Sequence, residues 1–145
     1  HDGAENMNQY DFPNADLVLT SPPYFNLEIY AQGEKQSENQ YDTYAKWKNN
    51  WLKDVIEKAI SRLNKGGHSA WNVHSVKNMP MIEDVEKLHK KFDFKHYTDV
   101  ALSSSKRQAN QNKNNTKNKD LTRIFVHKSH KYSAKENEFL SFFSG

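Results

Sequence analysis

The chain has no cysteine, only five glycines and four prolines, and no apolar run long enough to cross a bilayer. Without thiols, a disulfide scaffold, Cys-ligated zinc, iron–sulfur clusters and a thiol nucleophile are all excluded. A membrane helix needs roughly 18 or more consecutive apolar residues, so no membrane partner is expected. The first residues, His1-Asp2-Gly3-Ala4-Glu5-Asn6, have neither a basic n-region nor an apolar stretch, so they do not read as a secretory signal. A reducing, cytoplasmic setting is the expectation. Apolar residues are scarce as well, at 35% of 145, and the mean hydropathy is −1.03. That leaves a thin core with long polar stretches outside it. Charge of either sign is not in large excess: 21 Lys and Arg stand against 18 Asp and Glu. Overall charge therefore does not mark a nucleic-acid partner. Aromatics are plentiful, with eight Phe, seven Tyr and three Trp, more than a disordered chain carries.

The first apolar run, Ala15-Asp16-Leu17-Val18-Leu19-Thr20, opens after Pro13-Asn14 and stops at Ser21-Pro22-Pro23. Leu-Val-Leu without alternation reads as a parallel strand covered on both faces. From about Tyr41 to Asn64 the period changes. Tyr44, Trp47, Trp51, Val55, Ile56, Ala59, Ile60 and Leu63 recur every three or four residues and draw one stripe along a helix. Asp42 or Thr43 would start it and Gly66-Gly67 would end it. Ser69–Val76 follows as a strand, Met81–Phe92 as a second amphipathic helix behind Pro80, then Phe94–Leu102 and Leu121–His127 as strands. This alternation predicts an α/β domain with a mainly parallel sheet.

Between the last two strands, residues 103–120 hold three serines, five Lys or Arg from Lys106 to Lys119, many Asn, and no acid before Asp120. Two readings stand: a solvated loop, or a loop that meets nucleic-acid phosphates, with Lys106 and Arg107 its first cations. Beyond Lys131, the residues Phe139, Leu140, Phe142 and Phe143 form a short apolar tail that is expected to dock.

The chemistry gathers at Ser21-Pro22-Pro23-Tyr24. An exocyclic amine is a poor nucleophile because its lone pair is delocalised into the ring. Two hydrogen-bond acceptors on its N–H groups favour a pyramidal nitrogen and free that lone pair. Ser21 Oγ is one acceptor, and the Pro22 carbonyl, aimed by the stiff Pro-Pro backbone, is the other. Tyr24 offers a flat face for an extruded base. A Pro-rich turn or recognition segment is the plainer alternative.

Asp16-Leu17-Val18-Leu19-Thr20 followed by Ser-Pro-Pro-Tyr resembles motif IV of the amino-group DNA methyltransferases, which methylate N4 of cytosine or N6 of adenine. The resemblance covers residues 1–128 and rests chiefly on that motif. It implies the class I, Rossmann-like methyltransferase fold, S-adenosyl-L-methionine as cofactor and DNA as partner. A bacterial or phage restriction–modification setting is implied with them. The Ser form of the motif is more often found in the cytosine subgroup. On the same resemblance Asp2 stands where an acid approaches the cofactor's adenine, and Ser21 lies beside the cofactor. Asn26 and His74 fall where substrate-pocket residues sit. A frayed end, a capped turn and a structural histidine are the respective alternatives for Asp2, Asn26 and His74.

The family's Gly-rich cofactor turn is not found, since glycines stand only at 3, 33, 66, 67 and 145. The chain therefore reads as an incomplete fold: residues 1–131 a substrate-side catalytic part, with the basic loop 103–120 inside it, and 132–145 a tail. Strand 15–20 would then have one open edge, to be capped by a partner chain, by self-association or by the tail. RNA or protein-glutamine methylation, or a non-catalytic nucleic-acid-binding fragment, are the rival functions.

Overall fold

The computed structural model describes residues 3–11, 13–23, 25, 41–101 and 121–131. The basic loop and the apolar tail lie outside the described residues. A short 3-10 helix, Ala4–Gln9, leads to strand β1, Ala15–Thr20. The expected long helix starts where Thr43 caps it, its hydroxyl accepting from the Lys46 N–H at 3.3 Å. It then proceeds in three pieces: α1 (Tyr44–Trp47), a π-helical turn (Lys48–Leu52) and α2 (Lys53–Ser61). The wider turn admits an extra residue, so Trp51 and Leu52 both reach the core along with Trp47, Val55, Ile56 and Ala59.

The helix ends at Ser61, earlier than its apolar stripe suggests, because the sheet claims the next residues. Ala15 N–H donates to the Arg62 carbonyl at 2.9 Å and Ala15 pairs with Leu63, which opens strand β2, Leu63–Asn72. Gly66-Gly67 therefore does not cap the helix. It forms an irregularity inside β2, where the register jumps from Ala15–Leu63 to Leu17–His68. A side chain at Gly67 would meet the Asn64 and Asp16 carbonyls at 2.9 and 3.2 Å. At its other end β2 stops at Asn72, short of the expected Val76, which only bridges to Met79 around the left-handed Asn78.

Helix α3, Met81–Lys91, follows Pro80 as its apolar spacing predicts and buries Met81, Asp84, Val85, Leu88 and His89. Glu83 and Asp84 in its first turn and Lys90 and Lys91 in its last complement the helix dipole. Strands β3 (Phe94–Ala101) and β4 (Leu121–His127) close the sheet within a residue of expectation.

The sheet order is β1-β2-β4-β3. This corrects the expected mainly parallel sheet: β1 pairs with β2 in parallel, but β4 is antiparallel to both β2 and β3. Strand alternation in the sequence sets no direction for a strand inserted between two others, and β4 enters between β2 and β3 reversed. Since β4 is reversed against both its neighbours, β1, β2 and β3 still run the same way. A second correction concerns β1. Among the described residues it lies at the edge, and Leu17 and Leu19 are 53% and 66% exposed, so those residues cover it on one face only. The helices pack against the other face, where Trp71, Phe94 and Phe125 join Trp47, Ile56, Val85 and Leu88 in one cluster.

At its centre His89 is fully buried and stacked on Phe125, with ring centroids 3.9 Å apart. Its Nδ1 lies 2.8 Å from the Val85 carbonyl, which can only accept, so Nδ1 carries the proton. Nε2 must then accept from the Ser69 hydroxyl at 2.9 Å, and that oxygen accepts from Trp71 Nε1 at 2.7 Å. Every polar atom of this chain of bonds is satisfied while the ring is neutral, and burial lowers the His89 pKa from 6.5 to about 4.

Stability therefore depends on pH with a definite sign. Above pH 6.5 the imidazole is neutral in both folded and unfolded chains and the fold is unaffected. As pH falls from 6.5 toward 4 the unfolded chain takes up the proton first, costing about 3 kcal/mol by the lower limit. Asp42, Glu86 and Asp93 are held below their ordinary values of 3.8, 4.5 and 3.8 by hydrogen bonds from Lys46, Lys90 and Lys128. Their contributions fade only at lower pH. Urea melts at about pH 7 and about pH 5 are expected to differ by about 2 kcal/mol in the native chain. In His89→Gln, which cannot take a proton, that difference should be lost.

Candidate functional site

The parallel register of β1 and β2 brings two chain exits side by side. Thr20 pairs with Trp71, so Ser21 leaves β1 next to the place where β2 ends at Asn72 and passes through Val73 to His74. On the far side of β2, β4 begins at the same edge. Thr122 stands opposite Asn72, whose Nδ2 donates to its hydroxyl at 3.3 Å, and Arg123 stands opposite Trp71. β3 ends there as well, with Ala101 facing Leu121. Both anchors of the 102–120 connection thus sit on the edge from which Ser21 emerges. Register alone assembles this convergence from segments about a hundred residues apart in the chain.

Along the exit from β1, Ser21 is exposed, Pro22 buried and Pro23 half-buried. Proline has no N–H to leave unsatisfied, so its nitrogen can be buried here without an acceptor. An exposed hydroxyl acceptor is then presented beside a backbone of fixed φ. His74 is half-buried, two residues beyond the end of β2. The structure thus brings Ser21, Pro22, Pro23 and His74 to one edge. Asp2, Tyr24, Asn26, Lys106 and Arg107 lie outside the described residues.

Sequence reasoning missed several side chains around this edge. Asp99 on β3 pairs with Arg123 on β4 at 3.6 Å and lies 2.8 Å from His96 Nε2, which ties the two strands close to the edge. Phe25, directly after Tyr24, is only 6% exposed, its ring 6.3 Å from Tyr44 and 6.1 Å from Trp47. The Tyr44 hydroxyl donates to Asp84 Oδ2 at 2.8 Å, and Lys48 Nζ donates to the other oxygen at 3.4 Å. Burial first, and then the bond to Asp84, pushes the Tyr44 phenol well above its ordinary 10, so it stays a neutral donor. The signal available in the sequence was the aromatic directly after the motif. Its ring partners Tyr44 and Trp47, 19 and 22 residues downstream, carry no local mark.

A cleft of about 460 Å³, lined by Leu63, Gly66, Gly67, Phe94, His127 and Lys131 among others, lies where β2 and β3 begin. That is the opposite end of the sheet from Ser21. Gly66 and Gly67, the paired glycines, are therefore not placed to let a ligand approach the backbone beside Ser21. Ser21 and this cleft therefore lie at opposite ends of the sheet formed by the described residues. Among them, no three His, Asp or Glu side chains are grouped to hold a metal ion.

Comparison with known proteins adds two findings. The profile of a family described as DNA methylase matches residues 15–143. The type II methyltransferase M.MjaVI of Methanocaldococcus jannaschii is similar, at 33% identity over 96 residues, covering 62% of this chain and 46% of the relative. The chain thus spans about half the length of the curated relative it matches.

The turn that carries His74 is tied to α3 by Ser75. Its Oγ accepts from the Ile82 N–H at 3.1 Å and donates to Glu83 Oε2 at 3.0 Å. Ser75→Ala frees that helix N–H and should cost about 1 kcal/mol in a thermal or urea melt. A change below a few tenths would mean that solvent replaces the bond.

Proposed function

The chain belongs to the DNA methylase family of amino-group methyltransferases, and from that premise we propose that it methylates the exocyclic amine of a base in duplex DNA. The target is N4 of cytosine or N6 of adenine, in a nucleotide extruded from the helix. The observation that carries this reading is the exit of Ser21-Pro22-Pro23 from the carboxyl end of β1, at the edge where His74 and both anchors of the basic loop also lie.

On this reading Ser21 Oγ and the Pro22 carbonyl accept the two N–H groups of the target amine, and Tyr24 supplies a stacking face. The buried Pro22 holds the direction of its carbonyl. Catalysis is orientation and charge placement, without a covalent enzyme intermediate. S-adenosylmethionine is the proposed donor, and its sulfonium would supply the electrophilic methyl group. Asp2 and Ser21 are assigned to its side of the site, and Asn26 and His74 to the base pocket. Lys106 and Arg107 would meet DNA phosphates. Residues 1–131 then form the substrate-side part of the catalytic domain and 132–145 its tail. The open edge of β1, with exposed Leu17 and Leu19, would be capped by a partner chain, a second copy or that tail.

Methyl transfer from labelled S-adenosylmethionine to unmethylated duplex DNA, scored base by base, tests the assignment. Ser21→Ala and Tyr24→Ala should each lower the rate by about 100-fold while leaving the melting curve in place. Unchanged rates in both would remove these residues from the site. In a salt titration of DNA affinity, replacing Lys106 and Arg107 with Ala should flatten the log–log slope by about 2. DNA binding without cofactor binding or methyl transfer would instead identify a non-catalytic fragment.

A further inference from the structure

The Ser-Pro-Pro-Tyr segment is held at both ends, and the second hold is made by residues that the family resemblance did not single out. At the upstream end Thr20 is fixed in the ladder opposite Trp71. At the downstream end Phe25 is buried against Tyr44 and Trp47. Tyr44 stacks on Trp47 at 5.9 Å and 28°, and Trp47 on Trp51 at 5.2 Å and 20°, so the seat for Phe25 is the end of an aromatic stack on α1 and the π turn. A further hold on Tyr44 is its hydroxyl. It is bonded to the carboxylate of Asp84, whose side chain is 7% exposed and which belongs to the first turn of α3. Lys48 balances that buried charge from the face of the same ring, 5.9 Å from its centroid.

We propose that Tyr44 and Asp84 are positioning residues for the Ser21–Tyr24 segment, acting through Phe25. Between the two anchors lie four residues, two of them prolines with φ already set. Once Thr20 and Phe25 are fixed, few backbone torsions remain with which the Pro22 carbonyl can change direction. Aiming two acceptors at one nitrogen tolerates about 0.5 Å of play. A segment anchored only at Thr20 would sweep much further. The Tyr44–Asp84 bond thus transmits the placement of α3 to the motif, which it does not touch.

Positioning of the motif stands on structure alone, whereas its effect on catalysis rests on the methyltransferase reading, and two measurements separate them. Fluorotyrosine incorporated at Tyr24 reports whether that ring holds one environment. The native chain should give a single narrow fluorine resonance. Tyr44→Phe, which keeps the ring stack and removes only the hydroxyl, should broaden or split it, as should Phe25→Ala. Lys46→Ala, on the same helix and paired with the exposed Asp42, should not. Asp84→Asn keeps an acceptor for the phenol and should retain the single line, whereas Asp84→Ala should lose it. Should Asp84→Ala fail to fold, Tyr44→Phe still decides. A Tyr44→Phe chain that melts earlier yet keeps the native Tyr24 line would make the bond a clamp between helices and nothing more, and would overturn the proposal. In a methyl-transfer assay Tyr44→Phe should lower kcat about tenfold with KM for DNA changed less than about twofold. An equal rise in KM with unchanged kcat would overturn it as well. Absence of methyl transfer in the native chain would sink the methyltransferase reading and leave the fluorine result to judge the positioning.

Discussion

The row Thr20–Trp71–Arg123–Asp99 crosses all four strands, and the fold and the site both depend on its register. Trp71 is the pivot. It is fully buried, donates through its indole to Ser69, and lies edge-on to His89 at 5.7 Å. Together with Phe125, which stacks on His89, its side chain holds the sheet against α3, while its backbone holds β1 on one side and β4 on the other. A slip of one residue would turn Trp71 to the face that carries Leu17 and Leu19, and would move Ser21 out of line with His74. The same interaction that builds the core therefore sets which chain exits meet.

Most of the elements can be read directly from periodicity. β1, α3 and β4 are where their apolar patterns put them, because each is short, bounded by turn residues and buried along one face. The departures have a common cause. The end of α2 and the start of β2 differ from expectation because Gly66-Gly67 looks like a helix stop in isolation, whereas the ladder with Ala15 extends the strand back to Leu63. Partner strands 48 residues away leave no trace in a local window. The antiparallel setting of β4 escapes the sequence for the same reason: alternation marks a strand and says nothing about the direction of its neighbour.

The site is half readable. Ser21 and Pro22 stand out because two prolines after an apolar strand are rare and constrain the backbone in a recognisable way. Their support does not. Tyr44 reads as one more position in a helical stripe, and Asp84 as an acid favoured by the first turn of a helix. Only in three dimensions do they become a donor and acceptor joined between two helices and backed by Lys48. Long-range hydrogen-bonded pairs of this kind are specified by packing, so a sequence shows the two members and not the bond.

β1 has a ladder partner on one side only among the described residues, whereas β2 and β4 are held on both. Local opening in proteins begins with the segments that have the fewest bonds to break. The strand that leads into Ser21 is thus cheaper to detach than the core strands, and Trp71, His89 and Phe125 would stay packed while it lifted away. The Ser21–Pro23 segment and the bulk of the molecule would then have separate free energies of opening. A chain can on that account keep its spectrum and its melting curve and still spend part of its time without a working site. Activity and global stability are decoupled wherever chemistry is mounted on the margin of a sheet.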